Sequence, residues 1–339
     1  MIQDAIRMLL DGEGLSRGES RQVMDEIMGG DATPAQIGGF LVALRAKGET
    51  ADEIAGFAES MRSHVLPVRP KRTDLIDTAG TGGDGARTLN LSTAAALVAA
   101  AAGAAVAKHG NRAVSSDSGS ADVLSALGFN IELPPERIAE SIDSLGFGFL
   151  FAPAHHPAMR HAMPVRKELG TRTVFNILGP LTNPAGATGQ VIGVFAKDLA
   201  PTIAKVLSLL GTRHALVVHG AGGIDELSPA GENLVYEVTN GTIDELALDP
   251  ASLGISPCDP EHLRGGTPEE NAAAIRAVLG GERGPRRDAV LLNAAAALRV
   301  AGSAETLGEG LARASQAVDS GRAADRLDAL VAFSHGEAT

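Results

Sequence analysis

Along the first 65 residues the apolar positions recur at helical spacing: Ile2, Ile6 and Leu9, then Ile37, Phe40, Leu41 and Leu44. Each set lines one face of a helix, and each face needs a partner. Three helix starts are written as capping boxes: Ser16 with Glu19, Thr33 with Gln36 and Pro34 at the first helical position, and Thr50 with Glu53. In such a box the hydroxyl accepts from a backbone N–H of the first turn while the longer side chain reaches back to the cap. A small helical domain over residues 1–65 is therefore expected. Residues 66–72, LPVRPKR, hold two prolines and three basic residues and read as a linker.

From Thr73 the period changes. Short apolar runs at 75–76, 104–107, 147–151, 191–195 and 215–218 alternate with helical stretches. That alternation predicts a mostly parallel sheet in a larger α/β domain over residues 73–339. Residues 268–333 read as almost entirely helical. Residues 156–178, opening with His156-Pro157, read as a helix that folds back onto the N-terminal domain. The expected fold class is α/β, a small all-helical N-terminal domain plus a larger domain with a mostly parallel central sheet. Repeats of 20–50 residues and low-complexity tracts beyond alanine enrichment are absent from the sequence.

Composition changes this picture in three ways. Aromatic residues are 3% of the 339 and Trp is missing, so the core must be built from Ala, Leu, Val and Ile, with helices approaching closely. The formal charge of −12 repels a polyanion, which disfavours a general nucleic-acid binder and requires that a phosphate substrate be held by local cations. The lone Cys258 and a start without a basic segment or long apolar run lead to an expected cytoplasmic location. The alanine-rich stretch 91–106 falls short of a spanning segment, and no membrane role is expected.

Candidate chemistry begins at DTAGTGGDG, residues 77–85. Gly80, Gly82 and Gly85 satisfy G-x-G-x-x-G, yet a nicotinamide site also needs an acid at the end of the next strand. AKHGNR, with Lys108, His109 and Arg112, stands there instead. The residues fit better a cradle in which backbone N–H groups of the loop and of the helix start NLST, residues 90–93, hold a pyrophosphate. Asn90, Ser92 and Thr93 add donors, Lys108 brings a point charge, and Ser120 reads as the cap of a helix over 121–127. Asp225-Glu226 lies in a glycine-rich loop after a strand, where consecutive carboxylates can converge on cations; on a regular strand they would point apart. The spacing of His155, His156 and His161 suits no helix-face pair of metal ligands.

Together GTGGD (80–84), NLSTA (90–94), KHGNRAVSS (108–116), GSADVLSALG (119–128), VRKELGTRTVFNILGPLTNP (165–184) and VVHGAGGIDELSP (217–229) resemble anthranilate phosphoribosyltransferases, in the family's order and over nearly the whole chain. The resemblance implies a homodimer that transfers 5-phosphoribosyl from phosphoribosyl pyrophosphate to anthranilate in tryptophan biosynthesis. It implies donor binding by Gly80, Gly83, Asp84, Thr88, Asn90, Leu91, Ser92, Thr93, Lys108, His109, Gly110, Asn111, Arg112, Ala113, Val114, Ser115, Ser116 and Ser120. It implies anthranilate contacts from Gly80, Asn111 and Arg166, the last pairing with the carboxylate, and a border of His109, His155 and Pro180. Ser92, Asp225 and Glu226 would hold magnesium, two Mg2+ ions per site. The sequence departs at Asn233, near which the family has threonine, and at Ser116-Asp117.

The chemistry suits these residues. Displacing pyrophosphate from the ribose C1 carbon builds negative charge on the leaving group, which a hard cation neutralises. An aromatic amine is neutral at pH 7 and attacks without a base, so positioning and electrostatics replace an acid/base pair and no catalytic residue is assigned. Two alternatives share the scaffold. A pyrimidine nucleoside phosphorylase would carry a different phosphate loop where Lys108 leads into HGNRAVSS, and a non-catalytic nucleic-acid-binding relative would be basic and lack the acidic pair.

Overall fold

The computed structural model describes residues 1–113 and 117–337. The N-terminal helices are α1 (Ile2–Leu10), α2 (Arg17–Gly29), α3 (Pro34–Lys47) and α4 (Ala51–Ser63), and all three capping boxes form. Glu53 does more than cap. Its buried carboxylate takes Thr50 N at 2.8 Å, Leu15 N at 2.9 Å and Lys47 Nζ at 2.9 Å, tying three segments together. Phe40 of α3 and Phe57 of α4 meet edge to face at 5.8 Å in the middle of the bundle.

Seven strands form one sheet: β1 (Leu75–Gly80), β2 (Ala105–Gly110), β3 (Phe147–Phe151), β4 (Gly189–Gly193), β5 (His214–His219), β6 (Asn233–Thr239) and β7 (Thr242–Leu248). Their order is β3-β2-β1-β4-β5-β6-β7; the first five run parallel, and β6 and β7 extend the edge antiparallel. The helices of this part are α5 (Leu91–Ala101), α6 (Ser120–Ala126), α7 (Pro135–Leu145), α8 (Ala152–His155), α9 (Met163–Leu169), α10 (Phe175–Leu178) and α11 (Ala200–Leu209). The tail is helical as expected: α12 (Pro268–Leu279), α13 (Pro285–Val300), α14 (Leu307–Asp319) and α15 (Arg322–Ser334).

Side chains alternate across the sheet. Ile76, Val106, Val191, Leu216 and Val218 belong to one core with α5 and α13, whose alanines at 94–101 and 294–297 are buried. Small side chains let these helices lie close to the strands and to each other. On the opposite face, Ile192, Ala215 and Val217 join α11 and the apolar faces of α1 to α4 in a second core. The N-terminal helices are therefore packed through α11 onto the sheet itself. Val68 is buried, and its N–H donates to Pro184 O at 3.1 Å, so the linker is fastened to the body. Among the described residues no helix is long and apolar enough to cross a membrane.

Two expectations need correction, and one element lay outside them. Residues 156–178 are not one helix but a 3₁₀ turn (Pro157–His161), α9 and α10. Prolines 157 and 164 withhold donors, and Gly170 ends α9 in the left-handed conformation, φ 58°. The pieces still dock on the N-terminal bundle, with Ala162 and Val165 in its core. The hairpin β6–β7 was not anticipated, although Asn240-Gly241, with φ of 48° and 90°, is the asparagine–glycine turn that joins such strands. Ser120 is the first residue of α6 rather than its cap; Asp122 takes over the role, accepting from Gly119 N at 3.0 Å and Ala113 N at 2.8 Å.

Candidate active site

Successive strands spread outward from β1 on one side and from β4 on the other, so the chain reverses direction between them. Such a switch leaves a crevice beyond the carboxyl ends of the strands. Here Gly80 ends β1, Gly193 ends β4, and the loop after β5 lays Asp225-Glu226 across both. Glycine is required at these ends. A Cβ on Gly193 would lie 1.5 Å from Asp225 O, one on Gly80 2.3 Å from Asp225 Oδ2, and one on Gly220 2.0 Å from Glu226 O. Two buried asparagines hold the loop down. Asn293, inside α13, bonds both peptide groups of Leu227, accepting from its N–H at 3.0 Å and donating to its carbonyl at 2.8 Å. Asn233 accepts from Ser228 N and Ala221 N and donates to Ser228 O, Gly231 O and Leu248 O. That accounts for a fully satisfied amide at this departure from the family pattern.

The acidic pair meets the glycine loop and the start of α5. Asp225 Oδ2 accepts from Gly82 N at 2.7 Å, Asp225 N donates to Asp84 Oδ2 at 3.1 Å, and Glu226 Oε1 accepts from Ser92 N at 3.0 Å. Thr78, Gly80, Ser92, Gly193, Asp225 and Glu226 line one small cavity. Burial and the neighbouring Asp84 push the Asp225 carboxyl up to about 7, and burial with the Asp225 charge pushes Glu226 up to about 8. Both oxygens taken by backbone N–H groups are accounted for; the remaining carboxylate oxygens and the Ser92 hydroxyl are the hard donors that a magnesium ion selects. Among the described residues no three His, Cys, Asp or Glu converge to hold a metal unaided. Such a donor set fits a cation whose shell is completed by phosphate oxygens.

Lys108 owes its place to a split in the sheet. β1 and β2 pair only at Leu75↔Ala105 and Ile76↔Val106, so beyond them the peptide groups that face the gap between these two strands lack ladder partners. Side chains satisfy them: Lys108 Nζ donates to Thr78 O at 2.5 Å, Asp77 Oδ1 accepts from His109 N at 3.1 Å, and Asn183 Nδ2 donates to Ala107 O and Asp77 Oδ2, each at 2.8 Å. Lys108 is 2% exposed. Burial lowers its pKa, and the charges of Asp77, Glu226 and Asp225 oppose that shift. Burial likewise raises Asp77 to about 6, against Lys108 and hydrogen bonds from Asn183, His109 and Thr78.

The histidines form a buried chain. His109 Nδ1 faces Gly179 O at 3.1 Å, and its Nε2 lies 3.1 Å from His156 Nε2, so His109 donates from Nδ1 and His156 from Nε2. Burial, with each ring's neighbouring histidine, lowers them to about 3 and about 4. Both are neutral at pH 7. His155 is buried with Nδ1 2.9 Å from Leu66 O, and Gln190 Nε2 donates to Pro180 O at 2.8 Å. The Gly179-Pro180 turn is thus hung from β2 and β4. Arg166, half-buried, stacks at 5.1 Å over Phe175; it has no acidic partner among the described residues, and burial lowers its pKa.

The other expected residues fall as follows. Asn90 Oδ1 accepts from Asn271 Nδ2 and Ser118 Oγ, and the side chains of Leu91 and Thr93 are buried in α5, leaving Ser92 as the half-buried hydroxyl of that turn. Thr88 bridges to Arg264, and Gly83 has φ 77°. Arg112 pairs with Asp122 at 3.0 Å, and Ser120 Oγ donates to Asn111 O at 3.3 Å. A Cβ on Gly110 would lie 2.2 Å from that Ser120 hydroxyl. Val114, Ser115 and Ser116 lie outside the described residues. Thr78, Asp77, Asn183 and Asn293 escaped sequence reasoning; for Asp77, Thr78 and Asn293 the signal was a polar residue inside an otherwise apolar strand or helix.

Residues 3–65 match the model of the helical bundle domain of a glycosyl transferase family, and residues 72–324 match that of its a/b domain. The anthranilate phosphoribosyltransferase of Moorella thermoacetica is 51% identical over 333 residues, 98% of each chain, and that of Thermomicrobium roseum 52% identical over 339, covering 99% and 97%. The crystal structure of the enzyme from Thermus thermophilus superposes with a TM-score of 0.93 at 52% identity, over 98% of this chain and 99% of that one. The Saccharomyces cerevisiae enzyme in complex with phosphoribosyl pyrophosphate and magnesium gives 0.90 at 29% identity, over 99% and 98%.

Proposed function

The chain belongs to the anthranilate phosphoribosyltransferase family and transfers 5-phosphoribosyl from phosphoribosyl pyrophosphate to anthranilate using magnesium, and we propose that the crevice at the ends of β1, β4 and β5 is where it does so. One observation carries this reading: Asp225 and Glu226, more than 130 residues from the glycine loop and the start of α5 in sequence, are hydrogen-bonded to both. In the proposal the N–H groups of the glycine loop at 83–85, the start of α5 at 90–93 and the ammonium of Lys108 receive the donor's phosphates, while Gly82 N and Ser92 N stay with the acidic pair. Ser92, Asp225 and Glu226 would hold two magnesium ions, whose charge would neutralise the departing pyrophosphate. Arg166, a half-buried cation without an acidic partner among the described residues, pairs with the anthranilate carboxylate.

The amine needs no base, and the neutral state of His109 and His156 at pH 7 is compatible with a purely steric and hydrogen-bonding role beside the acceptor. His109, His155 and Pro180 form the acceptor's border in this reading, with Gly80 and Asn111 completing it. The working division of the chain is residues 1–65 and 73–339, in a cytoplasmic homodimer. Support for the dimer comes from Leu10 of α1, Val42 of α3 and Met163 of α9, which are 72%, 50% and 48% exposed on helices that pack in a row. A light-scattering mass of one chain would remove that part of the proposal. The reaction is read directly: anthranilate fluoresces, and its emission falls only when donor and Mg2+ are both present. Undiminished emission with folded protein at millimolar substrates would overturn the assignment of the crevice.

A further inference from the structure

We propose that Arg172 is a positioning residue that couples the donor loop to the acceptor segment, so that each substrate is bound more tightly when the other site is filled. Arg172 lies between α9, which carries Arg166, and α10, whose Phe175 underlies Arg166. Its own guanidinium leaves this segment and reaches the glycine loop, where Nη2 donates to the carbonyl of Gly83. The planar group stacks on Phe195, 4.1 Å from the ring centroid, which fixes its orientation. Phe195 is fastened to the same loop, since its N–H donates to Thr81 Oγ1 at 3.1 Å and Thr81 N donates to Gly193 O at 2.9 Å.

The loop between these contacts has little stiffness of its own. Gly82, Gly83 and Gly85 all have φ between 65° and 77°, and the three are exposed. It is gripped on one side by the acidic pair, through Gly82 N to Asp225 and Asp225 N to Asp84, and on the other by Arg172. Arg172 has no carboxylate partner among the described residues, so its charge stays available to the loop and to an anion bound there. A Cβ on Gly83 would meet Nη2 at 3.3 Å, which shows how closely the two segments are set. Displacing residues 171–174 therefore moves Gly83, and reorienting the Gly83 peptide pulls on the chain that positions Arg166. Arg172 is thus a mechanical link between the donor and acceptor segments outside the crevice floor.

The inference rests on the phosphoribosyl-transfer reading, and the test separates the two. Wild type, Arg172→Ala, Arg172→Lys and Phe195→Leu are compared in steady-state transfer and in anthranilate binding followed by its fluorescence, with and without magnesium pyrophosphate as the donor-site probe. The absence of Trp leaves little protein emission to interfere. In Arg172→Ala the KM for donor should rise about tenfold, the loss of ~1.4 kcal/mol, and the effect of pyrophosphate on anthranilate affinity should vanish. Anthranilate affinity without pyrophosphate should stay as in wild type. Arg172→Lys keeps the charge but not the stacked plane and should recover only part of the coupling; Phe195→Leu should lose part of it, and Arg172→Ala combined with Phe195→Leu should be no worse than Arg172→Ala alone. Equal coupling in wild type and Arg172→Ala at matched thermal midpoints would overturn the proposal, as would a loss confined to anthranilate affinity in the absence of pyrophosphate. Failure of the wild type to transfer phosphoribosyl would instead sink the reading of the crevice.

Discussion

The substitution Gly193→Ala adds one methyl group at the end of β4 and should disable the site without unfolding the protein. Gly193 has no positive φ, so alanine meets no backbone penalty there, and the effect is purely steric. The new Cβ would sit 1.5 Å from Asp225 O, 2.4 Å from its carbonyl carbon and 3.1 Å from its Cα. All three are backbone atoms, so no side-chain rotation relieves the overlap. Real Cβ contacts stay beyond 3.0 Å, and the loop bearing Asp225-Glu226 must retreat by roughly 1.5 Å. Asn293 and Asn233 resist that retreat, since together they hold Leu227 and Ser228. Overpacking of this kind costs about 1–3 kcal/mol, or several degrees in Tm for a chain of this size. A displacement beyond 1 Å in a group that orients the reaction costs on the order of 100-fold in rate. The expected result is kcat/KM down by at least that factor in the anthranilate fluorescence assay, with Mg2+ required at higher concentration. Gly18→Ala is the control: it lies inside α2 with nothing within 4 Å of the added carbon, and should be silent or slightly stabilising. Wild-type rate and Mg2+ dependence in Gly193→Ala would refute the argument that bare glycine ends let the acidic loop lie on the strands.

Arg166→Ala should raise the anthranilate KM by one to two orders of magnitude and leave the donor KM nearly unchanged, because it removes a charge-assisted contact to a carboxylate; equal change in both constants would remove Arg166 from the acceptor site. Lys108→Met strips a buried cation from between Asp77, Asp225 and Glu226 and should lower stability by about 3–5 kcal/mol along with donor affinity, read as a fall in Tm and a rise in donor KM. Without metal, stability should decline as pH rises from about 6.5 to 8. Asp225 and Glu226, near 7 and 8 in the fold, there bind more protons than in the unfolded chain, whereas the opposing contribution of His109 and His156, half protonated in the unfolded chain at 6.5, fades as the pH rises further. Thermal midpoints across that range should recover when Mg2+ is added, and the slope should flatten in the Asp225→Asn, Glu226→Gln double variant. A double variant with the wild-type slope and Mg2+ response would show that other groups bind the metal.

Much of this protein was legible along the chain. The capping boxes and the helical period of Ile37, Phe40, Leu41 and Leu44 are local, so they announced the N-terminal helices, and the five parallel strands followed from short apolar runs between helical stretches. Local rules also explain the failures. The region 156–178 had enough helix-forming residues to suggest one helix, but Pro157, Pro164 and Gly170 cut it into pieces. The β6–β7 hairpin announced itself only through Asn240-Gly241, because its outer strand is too exposed for an apolar run.

What the sequence determined by itself was the menu: elements, their apolar faces, and a set of phosphate-binding and acidic residue types in a recognisable order. Tertiary structure alone decided that Asp225 and Glu226 reach Gly82 and Ser92, that three glycines clear the floor beneath them, and that Lys108 caps a carbonyl exposed where β1 and β2 part. The physical reason is range. Helix starts and strand periods depend on neighbours a few residues away, whereas the charge state of a buried carboxylate or ammonium depends on which distant atoms the packed sheet brings within a few ångströms.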